Sequence, residues 1–159
     1  MSSKISVLVI TNNVSRLEQI ERGLVSAGII FLTAKDSTAA VAILKETVLD
    51  VIISEVNIGQ LDGWRLARMV RAGLFKVSNQ TPFVLICNTH CEHIAQTTAS
   101  AFAINKVIPE NDLDNIAKTV QDVLNKNTEQ ANMLAVLVVE DEPDIAELAQ
   151  RILKQNYYV

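Results

Sequence analysis

Apolar segments of five to seven residues alternate along the chain with segments whose apolar residues recur at helical spacing, the pattern of a parallel sheet covered by helices on both faces. The chain is therefore read as an α/β domain. Strands are predicted at residues 5–11, 29–34, 51–55, 83–87 and 102–108. A first helix over roughly 15–27 has Leu17, Ile20 and Leu24 as its inner stripe and stops at Gly28, which suits a left-handed cap. Asp36 or Ser37 caps a second helix carrying Ala40, Ile43 and Leu44. After a loop through Gly59, Asp62 caps a third, with Leu66, Met69 and Val70 inward and Arg65, Arg68 and Arg71 outward. That helix breaks at Gly73, and a polar stretch runs to Pro82. A short helix is predicted over roughly 91–100, and Pro109 opens the last one, with Leu113, Ile116, Val120, Val123 and Leu124 inward. Five βα units are complete by residue 126.

Residues 127–133 carry no periodicity and read as a linker or a fraying helix end. A repeat begins after them. A shift of 128 positions aligns Leu8-Val9-Ile10 with Val136-Leu137-Val138 and Asn12-Asn13 with Glu140-Asp141, and it brings the stripe Leu17, Ile20, Leu24 onto Ile145, Leu148, Ile152 without a gap. The expected organisation is a domain at 1–126, a linker at 127–133, and at 134–159 the first strand and helix of a truncated second copy. Such a unit cannot bury its own apolar faces, so they dock elsewhere or belong to a longer tandem protein.

Charge separates the same regions. Residues 1–126 hold 12 acidic and 12 basic side chains and residues 127–159 hold 6 and 2, so the net charge of −4 arises entirely in the tail. A neutral body with an acidic end offers no basic patch for duplex DNA, and direct nucleic-acid binding is not expected. With 159 residues, 49% hydrophobic, 20% charged and only 5 Gly and 3 Pro, the composition is that of a packed globular protein. The longest apolar runs fall far short of the ~20 residues of a membrane span and no signal peptide opens the chain, so a cytoplasmic location is expected. Cys87 and Cys91 are read as reduced thiols without a disulfide framework.

Several stretches resemble the receiver domains of two-component response regulators, related to the chemotaxis receiver. In the tail, residues 136–143, Val-Leu-Val-Val-Glu-Asp-Glu-Pro, are similar to that family's first strand and acidic turn. In the body, residues 50–56 through Leu61-Asp62-Gly63 are similar to its third strand and following loop, residues 81–87 to its fourth strand, and Val107-Ile108-Pro109 to its fifth. The resemblance implies a flavodoxin-like, doubly wound sheet of five parallel strands in the order 2-1-3-4-5. It also implies a reaction. An aspartate ending strand three takes a phosphoryl group from a phosphohistidine, an acidic pair after strand one holds magnesium, and a hydroxyl and a lysine ending strands four and five bind the phosphate.

Carried over residue by residue, these roles fall on Glu55 for the phosphoacceptor, Asn12 and Asn13 for the acidic pair, Cys87 for the hydroxyl and Ile108 for the lysine. Every one departs from the pattern, and Asn105 stands where the family has its switching aromatic. Neutral amides do not supply the charge a divalent cation needs, Ile108 offers phosphate nothing, and the extra methylene of Glu55 displaces its oxygen by over ~1 Å. The body therefore resembles a pseudo-receiver, non-enzymatic and without a cofactor, in which Asn12 is expected to donate a hydrogen bond to Glu55. Glu140 and Asp141 keep the acidic pair of the second copy, although adjacent carboxylates at a helix start also serve as caps.

The function expected from this reading is a module of phosphorelay signalling that acts through protein–protein contacts without normal aspartate phosphorylation. Its implied partners are a histidine kinase, other receivers or output domains, and a second copy across the face of helix four, strand five and helix five. Magnesium enters only under a rival reading, an atypical phosphoacceptor. Another rival is a metal or redox sensor built on Cys87, His90, Cys91 and His93, although four ligands within seven residues would strain to surround one ion. Arg65, Arg68 and Arg71 form either a solvated helix face or a contact for an acidic partner. Trp64 reads as a packing residue at a helix start.

Overall fold

The computed structural model describes residues 4–88 and 92–131, together with Ile145 and Glu147. Five parallel strands, β1 (Ser6–Ile10), β2 (Ile30–Ala34), β3 (Val51–Glu55), β4 (Phe83–Cys87) and β5 (Lys106–Pro109), form one sheet in the order 2-1-3-4-5. Helices α1 (Val14–Ser26), α2 (Ser37–Glu46), α3 (Gly63–Arg71), α4 (Glu92–Ala99) and α5 (Ile116–Ala131) connect and follow them. This is the flavodoxin-like architecture that the sequence implied. β3 and β4 are buried along their whole length, as strands covered on both faces must be, and their near-continuous apolar runs reflect it.

Alternate residues of each strand feed two cores. Leu8, Ile10, Ile52, Phe83 and Leu85 pack with Leu44 of α2 and Leu66 and Val70 of α3. Val7, Val9, Ile53, Val84 and Ile86 pack on the other face with Ile20 and Leu24 of α1 and Ile116 and Val120 of α5. Each such leucine or isoleucine contributes ~1.5–3 kcal/mol by leaving water, so the two layers supply the main force holding the helices to the sheet.

Helix starts follow their caps. The side chains of Asn13, Asp36 and Asp62 accept from the backbone N–H of Arg16, Ala39 and Arg65, at 3.0, 2.8 and 2.8 Å. Asp36, rather than Ser37, is thus the cap of α2. Gly28, at φ +69°, turns the chain out of α1 while the N–H of Ile29 closes on the carbonyl of Leu24 at 3.0 Å.

The last unit differs from expectation. Apolar Phe102 and Ile104 fall within the expected strand five, but Ser100–Phe102 form a 3-10 turn that ends at Ala103, φ +50°, and β5 begins only at Lys106. Pro109 closes β5 rather than opening a helix, and α5 starts at Ile116. The helix then continues through residues 127–131, where apolar periodicity has ended. Two compact units are distinguished, Met1–Asn125 and Lys126–Val159. Glu140 and Asp141 lie outside the described residues, as do the other members of the proposed second strand. Among the described residues no helix is long and apolar enough to cross a membrane.

Candidate functional site

Strand order reverses between β1 and β3, because β2 lies on one side of β1 and β4 on the far side of β3. The carboxyl ends of strands at such a switch point leave a crevice where doubly wound sheets bind ligands. Glu55, the last residue of β3, stands in it with 7% of its surface exposed. A buried carboxylate needs partners. The Thr11 hydroxyl, one residue beyond β1, donates to Glu55 Oε1. Arg16, in the first turn of α1, places Nη1 3.0 Å from Glu55 Oε2. Its Nη2 bonds the carboxylate of Glu110, which follows β5.

Each member of this cluster is held from behind. Thr11 Oγ1 accepts from the N–H of Asn13 at 3.0 Å while Asn13 caps α1, so the hydroxyl and the helix carrying Arg16 share one local fold. The N–H of Glu110 donates to the carbonyl of Cys87 at 2.9 Å, tying the end of β5 to that of β4. Gly63 packs against the back of Glu55: a Cβ there would lie 2.5 Å from the Glu55 carbonyl oxygen and 2.7 Å from Leu85 Cδ1. Asn12, Arg16, Glu55, Asn57, Asn88 and Glu110 surround a cavity of about 370 Å³.

Glu55, Asn12 and Cys87 all line that cavity, as the sequence grouped them. Other expectations change. Asn12 is exposed and does not bond Glu55, whose oxygens are taken by Thr11 and Arg16. Asn13 serves as a helix cap, a task asparagine performs as well as aspartate. Ile108 is buried at 3% exposure in the core beneath α1 and α5. Cys87 is buried and His93 exposed, while His90 and Cys91 lie outside the described residues. Among the described residues no group of three or more Cys, His, Asp or Glu is placed to hold a metal ion.

Arg71 also departs from its assigned place. Instead of facing solvent, its guanidinium donates to the carbonyls of Asn79, Thr81 and Ala103 and to Asn105 Oδ1, at 2.8–3.0 Å. Burial lowers its pKa from the ordinary arginine value. Asn105 Oδ1 in turn accepts from the N–H of Phe83 at 2.8 Å, so Asn105 is bonded to both α3 and β4.

Comparison with solved structures settles the architecture. The fold superposes on the chemotaxis response regulator CheY4 of Vibrio cholerae with a TM-score of 0.63 at 24% identity, covering 77% of this chain and all of that one. The chain has the receiver fold. A response regulator receiver domain from Clostridium thermocellum gives a TM-score of 0.68 at 17% identity, covering 79% of this chain and 98% of that one. The receiver domain of the sensor histidine kinase PA1611 from Pseudomonas aeruginosa, solved with magnesium coordinated in its active-site cleft, gives 0.66 at 17%, covering 77% and 99%. No family model and no curated protein matches the sequence. Thr11, Arg16 and Glu110 complete the cluster at Glu55, and the sequence reading does not single them out.

Proposed function

We propose that the body of this chain is a pseudo-receiver, a non-catalytic module of two-component signalling that works by protein–protein contact and does not accept a phosphoryl group. The observation that carries the reading is Arg16. Its guanidinium sits between Glu55 and Glu110, at the end of the sheet where a receiver gathers its cation and phosphoryl group. A fixed cation of this kind repels magnesium, and the Glu55 oxygens a metal would need already have partners. The amides of Asn12 and Asn13 supply no compensating charge, so this donor set does not fit magnesium. Burial of Ile108 supports the same conclusion, since the position carries an apolar core side chain and Lys106, the lysine of β5, is exposed at the start of the strand. Histidine kinases, other receivers and output domains remain the proposed partners, together with a second copy across α4, β5 and α5.

Intact mass after incubation with magnesium and acetyl phosphate tests this. The expected result is no phosphate-sized gain on the unmodified chain. A gain should appear only when Glu55→Asp, Asn12→Asp, Asn13→Asp, Ile108→Lys and Arg16→Thr are combined, which restores the acidic pair, the acceptor and the lysine and removes the guanidinium. A gain on the unmodified chain would overturn the proposal in favour of an atypical phosphoacceptor.

A further inference from the structure

A second cavity, of about 560 Å³, lies between α3 and α4 and shares Val56, Cys87 and Asn88 with the one at Glu55. Trp64 and Phe102 line it, their ring centroids 5.2 Å apart and their planes inclined by 59°. Val56, Cys87 and Ala95 add apolar surface. Arg65 and Arg68 also line it, and they differ in their partners. Arg65 Nε is 3.5 Å from Asp62 Oδ2, whereas Arg68 has no carboxylate partner among the described residues and lies over Phe102, 5.7 Å from the ring centroid.

This combination restricts what the cavity can hold. Its volume lies within the ~300–1,000 Å³ of small-molecule sites, enough for a ligand of one to three rings. A polar ligand without an apolar body would lose its hydration against Trp64, Phe102 and Ala95 without replacement. A purely apolar ligand would leave the exposed Arg68 guanidinium to water and gain nothing from its charge. A flat ring satisfies the two aromatic walls, and an anionic substituent on it satisfies Arg68. We propose that this cavity is a binding site for a small planar aromatic anion. The proposal extends beyond the pseudo-receiver reading and does not depend on it, and the shared Cys87–Asn88 segment places such a ligand beside the Glu55 cluster.

Trp64 is the only tryptophan, so its emission reports directly on occupancy. The full chain is titrated with 8-anilino-1-naphthalenesulfonate, an aromatic sulfonate, and in parallel with the neutral N-phenyl-1-naphthylamine. The sulfonate is expected to quench Trp64 saturably, with one site per chain. Arg68→Gln should weaken it by roughly 10-fold, the value of one charge-assisted contact, while leaving the neutral dye unaffected. Thr98→Phe, which fills the cavity, should weaken both dyes, and Arg22→Gln on the exposed side of α1 neither. Arg68 is exposed, so its variant remains informative even where Thr98→Phe fails to fold. Non-saturating sulfonate binding, or equal binding to the unmodified chain and Arg68→Gln, would overturn the proposal.

Discussion

Arg16 is 28% exposed at its side chain and Glu55 9%, so their contact is shielded enough to matter and open enough to relax. Removing the guanidinium leaves a buried carboxylate with Thr11 as its remaining bonding partner. Arg16→Met is therefore expected to cost about 1–3 kcal/mol in urea unfolding. Glu55→Gln should recover part of that loss in the same background, giving a coupling above ~0.5 kcal/mol in a double-mutant cycle. Strictly additive effects would mean that the ion pair contributes nothing. Glu55, Asn12 and Cys87 were legible as a site because they occupy the ends of strands whose order the resemblance supplied. Arg16 and Glu110 were not, because a long side chain at a helix start crosses to another element only in three dimensions. One signal was present: the shift of 128 sets Arg16 against Asp144, a reversal of charge beside the exchange of Glu140-Asp141 for Asn12-Asn13.

Two glycines bordering α3 separate close packing from backbone freedom. At Gly63 an added methyl meets the Glu55 carbonyl at 2.5 Å, an atom fixed in the sheet that cannot move aside. Gly63→Ala should destabilise by about 1–3 kcal/mol and disturb the Glu55 cluster with it. At Gly73 nothing lies within 4 Å, but φ is +71°, so Gly73→Ala should cost only about 1–2 kcal/mol through backbone strain and leave the cluster intact. Chemical shifts of the Thr11 and Glu55 amides distinguish the two. Arg71 ties α3 to the segments that lead into β4 and β5 through four acceptors. Arg71→Met should lose about 1–3 kcal/mol and speed hydrogen exchange at the Phe83 amide, whose acceptor Asn105 is held by that guanidinium. Unchanged exchange would show that Asn105 holds its place without it. Sequence periodicity placed β1 to β4 to within a residue, because each is a short apolar run bounded by polar residues. It misplaced β5, since Phe102 and Ile104 are apolar for another reason: they pack the 3-10 turn against the core beside α3.

Across the whole chain, the packing of the described residues and the net charge reside in different places. Among the described residues, every member of the two buried cores falls between Val7 and Val123. A chain ending at Ala131 is expected to unfold in one transition, with a free energy within about 1 kcal/mol of the full chain. Its charge would differ more than its stability. Residues 1–131 hold 13 acidic and 12 basic side chains, against 18 and 14 in the full sequence, leaving a net charge of −1 in place of −4. Self-repulsion between molecules weakens as net charge approaches zero, and the shortened chain keeps Ile30 and Leu32 exposed at 52% and 42% on the edge strand β2. It should therefore scatter more light than the full chain near pH 7 at equal concentration, and adding Ile30→Lys and Leu32→Lys should remove the difference. A shortened chain that unfolds several kcal/mol more easily would instead assign residues 132–159 a structural role. Equal scattering with unchanged stability would show that the acidic tail does not keep the molecules apart.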